Sequence, residues 1–195
     1  MIYITGDTHG EFGRIEAFCR RFGTCREDVM VILGDAGINY SGGIRDMRKK
    51  EFLESLPITV FAIHGNHEQR PQAIVMGGAY SIDKMVRLMY GYGWWPDEQP
   101  SEEVKRYVES RLDGLGWKVD VVLSHTVPLK YEPVEVFMAG VDQSKVDKST
   151  EEWLDGIEDR LDYGKWYCGH YHTEKKVGRV EIMFENFDVF SDKKQ

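Results

Sequence analysis

The sequence is poor in cysteine, with three such residues in a chain of 195. Cys19, Cys25 and Cys168 are odd in number, and none of them forms a close Cys-x-x-Cys pair. This spacing argues against a disulfide framework and against a zinc site built from thiolates. We therefore expect the cysteines to be buried packing residues of a protein from the reducing cytoplasm.

Long hydrophobic runs are also missing. No apolar stretch approaches the roughly 20 residues that a helix needs to cross a bilayer, so no membrane contact is expected. The segment 1–6 is a short β-prone run without a basic region, which is not the pattern of a signal peptide. The sequence also lacks internal repeats, linkers and low-complexity tracts. We predict a single domain over residues 1–195.

Positive charge is in deficit, because 25 Lys and Arg residues stand against 33 Asp and Glu residues, giving a net charge of −8. Broad binding to nucleic acid depends on a basic surface and is therefore disfavoured. An anionic substrate stays open, because bound metal ions would reverse the sign of the potential locally.

Strand-like and helix-like segments alternate along the chain. The apolar runs 1–5, 29–33 and 58–63 predict strands, and the segments 12–22 and 45–56 predict the helices between them. This alternation predicts an α/β chain with parallel strands and a sheet covered on both faces. Further along, the sequence predicts a hairpin at 73–82, an aromatic loop at 90–96, capped helices at 101–115 and 149–160, strands at 119–123 and 165–168, and a hairpin at 175–190 that turns near Gly178.

Against these absences stands a series of polar motifs, each of which follows a strand-like run. They read Asp7-Thr8-His9, Gly34-Asp35, His64-Gly65-Asn66-His67-Glu68, Ser124-His125 and Gly169-His170-Tyr171-His172. Sites in open α/β sheets lie beyond the carboxyl ends of the strands, so five neighbouring strands could direct these residues at one point. Together they can supply ligands for two divalent metal ions, and a general acid. Mixed carboxylate and imidazole ligation suits Zn, Mn, Fe, Co or Ni and argues against Ca.

In this order, the motifs resemble those of the calcineurin-like metallophosphoesterase superfamily, and the resemblance runs from Asp7 to His172. It implies a four-layer α/β/β/α sandwich, with two mixed β-sheets flanked by helices and a two-metal centre at the strand ends. It also implies a role for each residue: one ion held by Asp7, His9 and His172, the other held by Asn66, His125 and His170, a bridging carboxylate from Asp35, and an acid, His67, supported by Glu68.

The implied activity is hydrolysis of phosphomonoesters or phosphodiesters by in-line attack of a metal-bridging hydroxide. Mn²⁺ is the ion we expect to serve best in vitro, and a nucleotide is one candidate substrate. The chain departs from the family where Ala36, Gly37 and Ile38 follow Asp35, because the fuller motif has a second acid there and protein phosphatases add an arginine. This departure disfavours a protein phosphatase and leaves the orienting partner of His67 open. It favours a small bacterial or phage phosphodiesterase-type member.

Two other functions compete with this interpretation. A nuclease or nucleic-acid end-processing enzyme would need a basic track, for which the run Arg45, Arg48, Lys49 and Lys50 is the compact candidate. We favour an exposed helix face for that run. A non-catalytic protein-binding scaffold of the same fold would have degenerate ligand positions, and here every ligand position is filled.

Several other residues are given ordinary structural roles. We expect His64 to be packed rather than metal-bound. Arg70 is expected to brace a loop at least as readily as it contacts phosphate, and Trp94 and Trp95 to form a lid or dimer contact rather than to stack on a base. The acidic residues near Glu102 and Glu151 are expected to lie on solvated helix faces. The sequence leaves the substrate, the native metal and the oligomeric state open.

Overall fold

A computed structural model describes residues 1–40, 43–68 and 99–190 of the chain. The hairpin predicted at 73–82, the aromatic loop at 90–96, Arg70, Trp94 and Trp95 lie outside the described residues. The predictions made for them are therefore left as they stand.

The described strands form two four-stranded mixed sheets. In the first sheet, β1 (Ile2–Thr5), β2 (Val29–Ile32) and β3 (Thr59–Ala62) are parallel, and β8 (Phe187–Phe190) pairs antiparallel with β1. In the second sheet, β4 (Lys118–Leu123), β5 (Asp162–Cys168) and β7 (Val180–Ile182) are parallel, and β6 (Lys175–Val177) pairs antiparallel with β7. The strand orders are β3-β2-β1-β8 and β4-β5-β7-β6.

Four α-helices accompany these sheets in the described ranges. They are α1 (Gly13–Phe22), α2 (Ile44–Ser55), α3 (Glu102–Gly114) and α4 (Ser149–Glu158). Helix α3 begins as predicted, because the Ser101 hydroxyl oxygen accepts a hydrogen bond from the Val104 amide at 3.3 Å. None of the described helices is long and apolar enough to cross a membrane.

Alternation of side chains along β2 shows how the first sheet is covered on both faces. Met30 and Ile32 pack in a core with residues of α1 and α2, whereas Val31 and Leu33 pack in a second core against the other sheet. This is the two-residue period of a strand that is buried on both sides.

Strand β5 repeats this pattern in the second sheet. Trp166 and Cys168 belong to a third core, which contains Leu154 and Ile157 of α4, while Tyr167 joins the core between the sheets. Three cores separate four layers, in the order helices, sheet, sheet, helices. The predicted α/β sandwich with two mixed sheets is confirmed.

Three details of the sequence prediction are wrong. The tail does turn at Gly178, but only β6 and β7 form the hairpin, since β8 crosses to the first sheet and pairs with β1. The ligand-bearing strands are not neighbours in one sheet, because β1 to β3 lie in one and β4 and β5 in the other. Cys19 and Cys168 are buried as expected, but Cys25 is exposed.

Candidate metal centre

The predicted ligands all lie in the loops that follow five parallel strands. Asp7 and His9 follow β1, Asp35 follows β2, and Asn66 follows β3. From the second sheet, His125 follows β4, and His170 and His172 follow β5. The sandwich therefore brings the carboxyl ends of strands from both sheets to one site.

One cluster of donor atoms is formed by Asp7, His9 and His172. The Nε2 atoms of His9 and His172 are 2.8 Å apart. The Oδ2 atom of Asp7 lies 3.8 Å from the first of them and 3.4 Å from the second. One donor atom from each of the three residues falls within 4.8 Å of the others, which is close enough for a shared cation.

A second cluster is centred on His125. Its Nδ1–H donates to the Leu33 carbonyl oxygen at 2.9 Å, which turns its Nε2 towards the other residues of the cluster. That Nε2 lies 2.8 Å from Asn66 Oδ1, 3.2 Å from His170 Nδ1 and 3.5 Å from Asp35 Oδ2. Asp35 and His125, together with Asp7, form the second group of donor atoms close enough to share a cation.

The two buried carboxylates are held in the same way. Asp7 Oδ1 accepts a hydrogen bond from the His170 amide at 3.0 Å, and Asp35 Oδ1 accepts one from the His67 amide at 2.8 Å. In each case the second oxygen, Oδ2, is left to face the histidine cluster. Each aspartate is thus oriented by the backbone of another ligand loop.

Left-handed backbone is concentrated at this site. Five non-glycine residues of the described ranges have positive φ, and four of them are His9 (47°), Asp35 (42°), His170 (71°) and His172 (47°). An L-residue in this conformation costs roughly 1–2 kcal/mol. Such strain accumulates at functional sites, where the surrounding structure must hold it in place.

Glycines beside the ligands leave room for them. A Cβ atom on Gly65 would collide with the Asp35 carboxylate, and one on Gly169 would collide with the Asp7 carboxylate. A Cβ on Gly34 would collide with the His125 ring. These three positions require glycine because the ligand side chains occupy the adjacent space.

Burial and mutual charge shape the protonation of the cluster. Burial, together with the charge of His125, lowers the pKa of His170 to about 3. Burial also lowers the pKa of His9, whereas contact with Asp7 raises the pKa of His172. Burial would raise the pKa of Asp7, but contact with His172 and the charges of nearby histidines lower it. The lowered pKa values of Asp7, His9 and His170 favour the ionised carboxylate and the neutral imidazoles that bind metals.

The donor set fits divalent cations. The Oδ2 atom of Asp7 is buried and accepts no hydrogen bond of normal geometry from the described residues. A buried carboxylate oxygen is costly to leave unsatisfied, and a coordinated cation would satisfy it. Carboxylate, amide and imidazole donors together suit Mn, Fe, Zn, Co or Ni.

Comparison with known protein families gives one match. A family model described as calcineurin-like phosphoesterase covers residues 1–189. The chain belongs to that family. Comparison with curated proteins finds no matching relative. The resemblance inferred from the motifs is confirmed, and membership supports metal-dependent hydrolysis of phosphate esters.

Within this candidate site, the position of His67 is distinct from that of the candidate metal ligands. Its side chain is 42% exposed, its Nε2 lies 3.9 Å from Asp35 Oδ2, and its ring meets the His9 ring edge-on with centroids 5.7 Å apart. Glu68 is buried and accepts a hydrogen bond from the Ile38 amide at 2.8 Å, which ties the loop after β3 to the loop after β2. His64 is half-buried and belongs to neither group of close donor atoms found among the described residues.

Two residues near the candidate site were not identified correctly from the sequence. Glu151 was expected on a solvated face, but it is buried and accepts a hydrogen bond from the Thr126 hydroxyl at 2.6 Å, next to His125. Arg14 was given no role, although it contacts the backbone of Asp7. No motif marks either residue, because their importance comes from contacts between distant segments.

The basic run on α2 is only partly the exposed face that was expected. Arg45, Arg48 and Lys50 are exposed, but Lys49 is half-buried and donates from Nζ to the Gly37 carbonyl at 2.9 Å. A Cβ on Gly10 would collide with the Lys49 ammonium. This positive charge therefore lies beside the loop that carries His9.

Proposed function

We propose that this chain hydrolyses phosphomonoesters or phosphodiesters with two divalent metal ions, Mn²⁺ being effective in vitro. The observation that carries the proposal is the convergence of carboxylate, amide and imidazole donors from five strand ends in a member of the calcineurin-like phosphoesterase family. A small phosphate ester, such as a nucleotide, is the substrate class proposed.

The contacts support a division of the residues between the two ions. Asp7, His9 and His172 would hold one ion, and Asn66, His125 and His170 would hold the other. Asp35 would bridge them, since its charge acts on the pKa of His9 and of His172 while its Oδ2 lies 3.5 Å from His125. When bound, such ions activate water for in-line attack and stabilise the non-bridging oxygens of phosphate.

His67 would protonate the leaving group. Its exposed ring can reach a substrate, and its backbone amide is fixed to Asp35. One oxygen of the Asp35 carboxylate lies 3.9 Å from Nε2 of this ring, and the other accepts a hydrogen bond from the His67 amide. Asp35 is therefore our candidate for the partner that supports His67.

Replacement of His67 by Asn tests this role. Loss of a general acid costs typically about 10²–10⁴-fold in rate. We expect the loss in kcat to be largest for an alkyl phosphate, whose leaving group needs the proton, and smaller for p-nitrophenyl phosphate. Metal content should match the wild type. Full activity of His67→Asn on both substrates would remove His67 from the mechanism.

A nuclease is the second candidate, because Lys49 places a positive charge beside the loop of His9. A labelled single-stranded oligonucleotide and bis-p-nitrophenyl phosphate should be incubated side by side with the Mn²⁺-loaded protein. We expect cleavage of the small diester only. Cleavage of both at comparable rates would favour the nuclease.

A scaffold without catalytic activity is tested by metal content. We expect two Mn²⁺ per chain after loading, and less than one would favour the scaffold. A panel of monoesters, diesters, cyclic nucleotides and dinucleoside polyphosphates would then identify the substrate class. The single domain over 1–195 and the cytoplasmic location are part of the proposal, supported by the extent of the family match and by the free cysteines.

A further inference from the structure

Arg14 is the second residue of α1, and its side chain reaches back to the end of β1. Its Nη2 donates to two consecutive backbone carbonyls, that of Gly6 at 3.0 Å and that of Asp7 at 2.8 Å. These carbonyls belong to the segment that turns the Asp7 carboxylate into the site. The guanidinium therefore fixes the backbone from which one proposed metal ligand projects.

The same guanidinium also supports a second ligand through an aromatic ring. Arg14 Cζ lies 5.9 Å from the centroid of the Phe184 ring, and that ring stacks on His172 with centroids 4.8 Å apart and planes at 16°. Glu174 Oε1 accepts a hydrogen bond from the Phe184 amide at 3.0 Å, which holds the aromatic residue in place. The chain of contacts runs from Arg14 through Phe184 to His172.

Arg14 is half-buried, and the environment of its guanidinium indicates that the contacts matter. Its Nε is buried and has no hydrogen-bond partner among the described residues, and burial lowers the pKa of Arg14. The charges of Glu185, Asp7 and Glu174 oppose that effect. An unsatisfied buried donor is costly, so the hydrogen bonds of Nη2 must offset the cost of leaving Nε without a partner.

We propose that Arg14 is a positioning residue for one of the two metal ions, the one assigned to Asp7, His9 and His172. This inference rests on the proposed two-metal function. The contacts described for Arg14 reach two ligands of that ion, directly at the Asp7 backbone and through Phe184 at His172. Groups that orient metal ligands typically contribute about 10–100-fold to metal affinity.

Calorimetric titration with Mn²⁺ tests the selectivity. The variants His170→Ala and His172→Ala each remove a ligand of one ion and leave the other ion to be measured alone. Added to His170→Ala, Arg14→Met should weaken Mn²⁺ binding by about 10–100-fold. Added to His172→Ala, it should leave the affinity unchanged. Arg14→Lys should fall between wild type and Arg14→Met, because one ammonium can still reach a carbonyl.

Arg26→Met is a matched control. Arg26 also donates to two backbone carbonyls, those of Ile58 and Glu54, at the other end of the first sheet. It should not change Mn²⁺ affinity in either background. Phe184→Leu removes the ring contact but keeps Arg14. It should lower the affinity for the same ion as Arg14→Met does. It decides the question if the Arg14 variants do not fold.

The outcomes separate this inference from the proposed function. The positioning role alone would be overturned if the Arg14 variants lowered the affinity for both ions equally. It would also be overturned if neither Phe184→Leu nor the Arg14 variants lowered Mn²⁺ affinity in a protein that binds two ions. A wild-type chain that binds no Mn²⁺ would overturn the proposed function and this inference together.

Discussion

The left-handed backbone of His9 leads to a prediction about stability with and without metal. His9 has φ of 47°, and replacement by either glycine or alanine removes the same imidazole contacts, with the His67 and His172 rings. Glycine at this position relieves the backbone strain, whereas alanine keeps a Cβ and therefore keeps the strain. Comparing His9→Gly with His9→Ala isolates the cost of the left-handed conformation from the loss of the imidazole.

The expected difference follows from two opposing contributions. Left-handed backbone costs an L-residue roughly 1–2 kcal/mol. Glycine loses about 0.5–1 kcal/mol through its greater freedom in the unfolded chain. His9→Gly should therefore be more stable than His9→Ala by about 0.5–1 kcal/mol in EDTA. In a chain of this size, that difference corresponds to about 1–4 °C in the unfolding midpoint.

Mn²⁺ should change how the stability of the two His9 variants compares with that of wild type. A ligand present at about 100 times its Kd stabilises the folded state by about 2.7 kcal/mol. Wild type should gain that amount for the ion that His9 helps to hold, and both variants should gain less. Thermal unfolding followed by circular dichroism, in EDTA and in Mn²⁺, gives all six midpoints.

Gly23→Ala calibrates the comparison. Gly23 ends α1 with φ of 61°, and nothing lies within 4 Å of the position that its Cβ would occupy. The substitution should cost about 1 kcal/mol in both solutions, because the residue is remote from the metal centre. Equal midpoints for His9→Gly and His9→Ala in EDTA, with the expected drop for Gly23→Ala, would refute the strain at His9.

Two further predictions concern the surroundings of the site. Gly65→Ala should lower Mn²⁺ affinity by at least about tenfold, because its Cβ would displace the Asp35 carboxylate. The control Gly156→Ala in α4 places its Cβ in open space and should bind Mn²⁺ as wild type does. An unchanged affinity for Gly65→Ala would contradict the steric argument. Glu151→Gln should raise the unfolding midpoint in EDTA at pH 8 but not at pH 4. Burial raises the pKa of Glu151 above its ordinary 4.5, so the folded chain loses stability as pH rises through that pKa. A difference in unfolding midpoint between Glu151→Gln and wild type that is constant across pH would contradict this explanation.

Much of the architecture could be predicted because it depends on local patterns. Apolar runs such as 29–33 mark strands, and Ser101 marks the start of a helix. The division into two sheets is not local, because it depends on whether β4 pairs with β3 or starts a new sheet. Only the family resemblance carried that information. The crossing of β8 to β1 was missed for the same reason, since a short strand after a hairpin reads as a continuation of it.

The candidate ligands could be identified in the sequence because metal binding needs particular side chains, and these follow strand-like runs. The supporting groups were not visible. Arg14 contacts backbone carbonyls, which every residue carries, and Glu151 contacts the hydroxyl of Thr126, 25 residues away in the sequence. Their roles come from tertiary proximity and not from composition or spacing, so no single-sequence pattern could have marked them.

The proposed centre would also join the two sheets. Asp7 and His9 come from the first sheet and His172 from the second, so the first ion would link them. The second ion would do the same through Asn66 of the first sheet and His125 of the second. The described core between the sheets is formed mainly by apolar packing, supplemented by the ion pair of Lys165 with Asp188. Because metal binding to such a site adds to folding free energy, removal of the ions should weaken the joint between the sheets more than either sheet itself.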